Sequence, residues 1–398
     1  MASLIRGILY FWFWYGSVYS GFLLVCCPAI PFIFLHPKIY QFLIGIIFST
    51  WEMYPTVLMR LINRTKIILT GDHIRPHEKA LLLMNHRTRC DWNFFWAGMY
   101  YASQPPSHRL KMVLKAPIRK VPGPGWVMQI AGYLYIHRNW AKDQELMAKQ
   151  LNYYKDVGNV FQLLIFPEGT DLTKATIERS NKFADKNNLP HYTKVLHPKT
   201  TGFSFLVDTM RQNEQLDAVY DITLAYPYSF PQNELELLQG NFPEEVHFHI
   251  RRYSQSEIPL EEPLQVQWLK KIWQKKEEDL INFYSVNKFT CDDQKKSTDD
   301  RPWTGVQTLH NALYLAFVFW TLVQIFALYL FLYSSFFRWY ALFCTLSFVL
   351  ISAYTEGFQM FEVNYYGLMC RIFGLKKPKH RKRINYNHFF FFKVNFVP

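Results

Sequence analysis

Uncharged runs bracket the chain. Residues Gly7 to Leu35 carry no charged side chain. That is more than the about 20 apolar residues that cross a bilayer, and more than the roughly 7–15 of a cleavable signal peptide. The run reads as a membrane anchor, with Pro28 and Pro31 bending or ending its first helix. A second apolar stretch, Ile39 to Trp51, is short for a full span and is followed by Glu52. The pair reads as one span plus an interfacial helix, or as a re-entrant hairpin. Toward the other end, Val306 to Phe337 is uncharged, Arg338 interrupts, and Trp339 to Thr355 is uncharged again. This pattern predicts two membrane helices joined by a short turn, with Trp303, Trp320 and Trp339 as interfacial anchors.

Between these runs the periodicity changes. Short β-rich segments recur at Lys66–Thr70, Ala80–Met84, Lys111–Leu114, Tyr133–Ile136, Gln162–Phe166, Ala218–Ala225 and Val246–Ile250. Helical patterns lie between several of them, as at Ala141–Tyr154. The alternation predicts an α/β domain over residues 60–290, with a mixed, mostly parallel sheet flanked by helices. Leu264 to Phe283 is amphipathic and reads as a surface helix closing the domain. The expected organisation is an N-terminal membrane anchor (1–59), this domain, a polar linker (291–305), two C-terminal membrane helices (306–355) and a basic tail (356–398).

Charge refines the picture. With 44 Lys+Arg against 31 Asp+Glu the chain carries +13, which points to an anionic partner. Aromatics make up 18% of residues, and this tilts the choice toward a lipid surface and away from nucleic acid. Six cysteines show no CxxC spacing, so neither a disulfide framework nor a metal site is expected. Arg371 to Arg383 holds seven Lys/Arg and no acid. By the positive-inside rule that tail is cytosolic, and two C-terminal spans then put residues 60–290 in the cytosol as well.

Two constellations carry chemistry. Asn85-His86-Arg87-Thr88-Arg89-Cys90-Asp91 follows the apolar segment Ala80–Met84. In a continuous helix His86 and Asp91 would stand about 140° apart. They meet only if His86 sits in a loop and Asp91 in the first helical turn. There the carboxylate can fix the imidazole tautomer, making His86 a general base for a hydroxyl. Phe166-Pro167-Glu168-Gly169-Thr170 follows Gln162–Ile165 and offers a carboxylate, backbone N–H groups and a hydroxyl to a polar head group. Taken singly, each is an ordinary turn.

Taken together, NHxxxxD at 85–91 and FPEGT at 166–170 resemble the glycerolipid (1-acyl-glycerol-3-phosphate) acyltransferase family. Two further blocks, GYLYIHR at 132–138 and VLHPKTTG at 195–202, are similar to the family's remaining motifs and stand in the family's order. The wording MNHRTRCDW, LLIFPEGTDLT and VLHPKTTGF looks closest to the lysocardiolipin acyltransferase branch. The resemblance implies that His86 is the base and that Asp91 orients it. It implies that Arg138 holds the acceptor phosphate, and that Glu168, Gly169 and Thr170 position the glycerol or head group. Pro198 would shape the pocket wall or acyl tunnel. It also implies acyl-CoA as co-substrate with no cofactor, a lysophospholipid acceptor, and a multi-pass protein of the endoplasmic reticulum membrane. Members that make phosphatidic acid have a more apolar Val-Pro run in the last block; here His-Pro-Lys-Thr-Thr stands instead. Lys199 therefore favours a larger anionic head group or is a plain surface lysine. A phosphatidic-acid-forming enzyme, a hydrolase that activates water with His86, and an inactive membrane protein are the alternatives.

Other patterns lead elsewhere. Val121-Pro122-Gly123-Pro124-Gly125 reads as a rigid turn or a cleft wall, not a dinucleotide fingerprint, and neither GxxxxGK nor GxSxG occurs. His247 and His249 alternate on a strand and are expected to face solvent. Lys115, Arg119 and Lys120 form a basic patch suited to coenzyme A phosphates, to lipid or to solvent.

Overall fold

The structure is a computed structural model and describes residues 2–103, 109–289 and 311–373. The expected linker 291–305 and the chain beyond residue 373 lie outside the described residues. The strands are β1 (Lys66–Gly71), β2 (Ala80–Met84), β3 (Leu110–Lys115), β4 (Leu134–Ile136), β5 (Gln162–Ile165), β6 (Ala218–Ala225) and β7 (Glu245–Ser254). The main helices are α1 (Ala2–Gly21), α2 (Pro37–Leu58), α3 (Asp91–Ala102), α4 (Pro124–Ile130), α5 (Trp140–Asp156) and α6 (Lys174–Lys186), followed by α7 (Thr200–Gln212), α8 (Glu234–Leu238), α9 (Glu262–Val286), α10 (Asn311–Tyr333), α11 (Ser335–Tyr354) and α12 (Phe358–Ile372).

The strands form one sheet in the order β1-β7-β6-β2-β5-β3-β4, and β6 with β7 is its antiparallel pair. The class is α/β, mostly parallel, with helices on both faces. β2 shows why. All five of its residues are buried, as a central parallel strand requires. Ala80, Leu82 and Met84 enter one core, which α3 and the long apolar helices share. Leu81 and Leu83 enter the other, with α5, α7 and α9.

The second core corrects two expectations. The helix expected on the surface, α9, buries Trp273, Lys276, Leu280 and Phe283 completely or nearly so. The Lys276 ammonium donates to Ile222 O at 2.8 Å and to Thr223 Oγ1 at 3.1 Å, and it pairs with Asp221. His247 and His249, expected in solvent, are buried instead. Phe283 packs on the first ring and Phe289 stacks on the second. Burial drives His249 down to about 3, so it stays neutral, bonded to Thr70 Oγ1 at 2.9 Å.

Four helical stretches (3–35, 37–63, 311–333 and 335–354) are long and apolar enough to cross a membrane. α1 runs into a π-helical turn, Phe22–Cys26, before Pro28. Proline lacks an N–H and its ring crowds the carbonyl four residues back, and a widened turn relieves that clash. The four stretches pack on one another. Trp320 Nε1 donates to Thr50 O at 3.2 Å, and Tyr340 OH donates to Leu23 O at 2.8 Å. Arg338 does not interrupt the C-terminal pair. The break falls at Ser334, and the Arg338 guanidinium reaches back to Phe331 O and Leu332 O, 3.0 Å each. It thereby satisfies carbonyls left open at the end of α10.

Residues from 356 onward, expected to begin a basic tail, instead open with α12. Glu362 on this helix is buried and accepts from Gln41 of α2 and from Tyr153 of α5. The C-terminal helix thus ties the N-terminal hairpin to the sheet domain.

Candidate active site

His86 lies in the loop after β2, and Asp91 is the first residue of α3. Asn85 anchors the loop to β6. Its amide donates to Leu224 O at 3.0 Å, and its carbonyl accepts from Leu224 N at 2.8 Å. Thr88 then ties the loop to the helix start. Its N–H donates to Asp91 Oδ2 at 2.9 Å, and its hydroxyl accepts from Cys90 N at 3.0 Å. Behind α3, Tyr10 OH donates to Asn93 Oδ1 at 2.9 Å. Trp14, Trp51 and Trp92 pack around Trp96. The N-terminal hairpin therefore backs the turn that carries the reactive pair.

His86 Nδ1 is 3.0 Å from Asp91 Oδ2. A carboxylate only accepts, so Nδ1 is the donor of this bond, and in the neutral ring Nε2 is the nitrogen with the free lone pair. No hydrogen bond to Nε2 is formed among the described residues. The ring stacks on Phe166 with centroids 4.3 Å apart. Asp91 is fully buried. An unpaired carboxylate there would cost several kcal/mol. Three donors satisfy it: His86 Nδ1, Thr88 N, and the hydroxyl of Tyr226 at 2.8 Å from Oδ1. The N-terminus of α3 adds a favourable dipole.

Glu168 differs from the sequence expectation. The residue is 3% exposed, and its carboxyl group offers nothing to a head group. One oxygen accepts from His86 N at 3.3 Å and the other from Leu196 N at 3.2 Å. The group therefore joins three of the four sequence blocks. Burial pushes it up to about 8, against the lowering effect of those two N–H donors. Gly169 turns the chain at φ +72°, and its carbonyl accepts from Arg138 Nη2 at 3.3 Å. Thr170 Oγ1 donates to Asp171 at 3.3 Å. Pro198 is buried. It lies between Leu196, held by Glu168, and Lys199, whose N–H donates to Pro167 O at 2.8 Å.

Arg138 is exposed and has a left-handed backbone, φ +63°. For a non-glycine residue this costs about 1–2 kcal/mol. Its neighbours hold it there. His137 N donates to Asp143 Oδ1 at 2.7 Å, and Asn139 caps α5 through Lys142 N at 3.3 Å. Glu356, just after α11, accepts from Arg119 at 3.1 Å and lies 3.0 Å from His137 Nε2 and 2.6 Å from the Lys142 ammonium. The patch expected from Lys115, Arg119 and Lys120 is thus split, because Arg119 is buried in an ion pair. Among the described residues no group of three His, Cys, Asp or Glu side chains is placed to hold a metal.

Two family models match the chain: "Acyltransferase" over residues 66–226 and "Acyltransferase C-terminus" over residues 236–311. Lysocardiolipin acyltransferase 1 of Gallus gallus is 39% identical over 368 residues, 92% of this chain and 94% of its own. The chain belongs to the acyltransferase family. Lysocardiolipin acyltransferase 1 of Mus musculus is 38% identical, covering 96% of this chain and 99% of its own. Lysophosphatidylinositol acyltransferase 10 of Caenorhabditis elegans is 34% identical, covering 79% and 81%.

Sequence reasoning about this acyltransferase missed two residues of its site, Tyr226 and Glu277. Tyr226 is 135 positions from the Asp91 it serves. Glu277, on α9, accepts from Thr193 N, Thr193 Oγ1, Lys194 N and Val195 N at 2.6–3.0 Å. It sets the course of the chain into Leu196 and Pro198. No local pattern marks either residue, because each acts on a segment brought to it only by folding.

Proposed function

We propose that this acyltransferase is a membrane-bound, acyl-CoA-dependent lysophospholipid acyltransferase of the endoplasmic reticulum. It moves a fatty acyl group to a free glycerol hydroxyl of an anionic lysophospholipid, of the lysocardiolipin, lysophosphatidylinositol or lysophosphatidylglycerol type. The observation that carries the reading is the His86–Asp91 pair, whose Nε2 makes no hydrogen bond among the described residues, together with an exposed Arg138 that reaches to Gly169, the residue after the Glu168 that holds the His86 backbone. Four apolar helical stretches support a multi-pass membrane setting.

In this reading His86 Nε2 takes the proton of the acceptor hydroxyl, and Asp91 stabilises the imidazolium that forms. The hydroxyl oxygen attacks the thioester carbonyl. Coenzyme A leaves as the thiolate and takes the proton back from His86. The product ester holds the acyl group, and no cofactor or covalent enzyme intermediate is needed. Arg138 presents a planar fork to the acceptor phosphate. Glu168 acts through backbone, holding His86 and the Pro198 segment in register. The test is product analysis with purified protein, acyl-CoA and a lysolipid panel. Acylated lipid made by wild type and lost in His86→Ala upholds the reading. Free fatty acid as the sole product, with or without lysolipid, overturns it in favour of a hydrolase.

A further inference from the structure

Arg138 holds a backbone conformation that its residue type disfavours. Its φ is +63°, in the left-handed region that non-glycine residues keep only under constraint. The constraint comes from both sides. His137, just before it, has its backbone N–H on Asp143 Oδ1 at 2.7 Å. Asn139, just after it, caps α5 by accepting from Lys142 N at 3.3 Å. One carboxyl group bridges the two sides. Glu356 Oε2 lies 3.0 Å from His137 Nε2, and Oε1 lies 2.6 Å from the Lys142 ammonium. Oε2 also accepts from Arg119 Nη1 at 3.1 Å. Against partial burial, hydrogen bonds from Lys142 and Arg119 hold the Glu356 carboxyl below its ordinary value, so it stays charged.

The segment that carries Glu356 is itself seated on the sheet domain. Gln129 of α4 donates to Ser352 Oγ at 2.9 Å and to Arg119 O at 2.8 Å, and its carbonyl oxygen accepts from Phe358 N at 2.9 Å. Gly357 turns the chain there at φ +99°, and a methyl built on it would stand 2.9 Å from Gln129 Oε1. Glu356 is therefore fixed at its backbone and gripped at its carboxyl group, unlike a lone surface ion pair between two mobile side chains. Building on the reading that Arg138 holds the acceptor phosphate, we propose that Glu356 is a positioning residue for acceptor binding. It touches no substrate. Through His137 and Lys142 it keeps the Arg138 turn in its left-handed form, so the C-terminal hairpin helps to set affinity for the phosphate-bearing acceptor. Without it the turn relaxes and the guanidinium moves off the phosphate. His86 and Asp91 stand on another loop, so the proton transfer is untouched.

The experiment is steady-state kinetics on the full-length protein in detergent, with oleoyl-CoA and either lysocardiolipin or lysophosphatidylinositol, whichever wild type acylates faster. The variants are Glu356→Gln, Lys142→Met, Arg138→Met and the double variant Arg138→Met/Glu356→Gln. The acceptor KM rises about threefold in Glu356→Gln and in Lys142→Met, on the scale of one partly exposed ion pair, while kcat and the KM for oleoyl-CoA hold. The double variant has the acceptor KM of Arg138→Met alone, because Glu356 then has nothing left to position. A merely structural Glu356 gives rises that multiply in the double variant, or a fall in kcat, and either result overturns the proposal. An acceptor KM raised in Arg138→Met but unchanged in Glu356→Gln overturns the positioning role and leaves the reading of Arg138 standing. An acceptor KM unchanged in Arg138→Met overturns both.

Discussion

The knot around His86 and the rim around Gly169 are neighbours built on opposite principles. In the knot every charge is answered. Asp91 has three donors, and Glu168 accepts from two backbone N–H groups. In the rim the exposed Arg138 and Lys199 flank Gly169 and form no ion pair among the described residues. The knot's geometry is thus complete before any substrate arrives, as a base must be if it is to meet a hydroxyl without reorganising. Changes in the first should alter the rate of chemistry, and changes in the second should alter affinity and choice of substrate.

The largest expected effect comes from emptying the knot. His86→Ala should lower kcat about 10³-fold, within the usual range for general-base catalysis, with KM for the acceptor little changed. Steady-state rates at saturating acceptor measure this. Asp91→Asn should cost about 10²-fold or more in kcat, because the amide can donate to Nδ1 and favour the wrong tautomer. If both losses appeared in KM instead of kcat, the contrast between knot and rim would fail. Arg138→Met should raise the acceptor KM about tenfold with a smaller change in kcat.

Glu168 tests the knot through pH. Burial raises its carboxyl from the ordinary 4.5 to about 8. The folded state therefore favours the protonated form, and the stability this group contributes is full below about 4.5 and lost as pH rises through 8. Glu168→Gln stays neutral at every pH. Its thermal midpoint should thus fall less than that of wild type between pH 5 and 9, as differential scanning fluorimetry in detergent would record. The smallest effect is expected at Glu356, which touches the rim only through His137 and Lys142. Glu356→Gln weakens the acid that holds β4's exit and should raise the acceptor KM about threefold, on the scale of one partly exposed ion pair, while kcat holds.

Much of the fold was legible along the chain. β2 matches its expected limits, because a central parallel strand is an unbroken apolar run bounded by polar residues, and β6 matches its limits although Asp221 and Thr223 interrupt its apolar run. β7 extends four residues past its expected end, to Ser254. Its outer half, Arg251-Arg252-Tyr253-Ser254, looks too polar for a strand, yet β6 pairs with it all the way. The site was half legible. The His86–Asp91 spacing demanded a loop followed by a helix start, and the structure has one. The role of Glu168 was misjudged, since a carboxylate in a turn looks available to ligand until its burial is known.

Two kinds of information remain distinct in this acyltransferase. Local order along the chain determined the apolar helices, the strands, and which side chains have the chemistry to move a proton or hold a phosphate. Those properties depend on near neighbours and on periodicity. Only the tertiary structure decided that Tyr226 would serve Asp91, that Glu277 would steer the Pro198 segment, and that Arg138 and Lys199 would flank Gly169. Such pairings join residues far apart in sequence, and packing of the two cores on the sheet, not local propensity, brings them within a few ångströms.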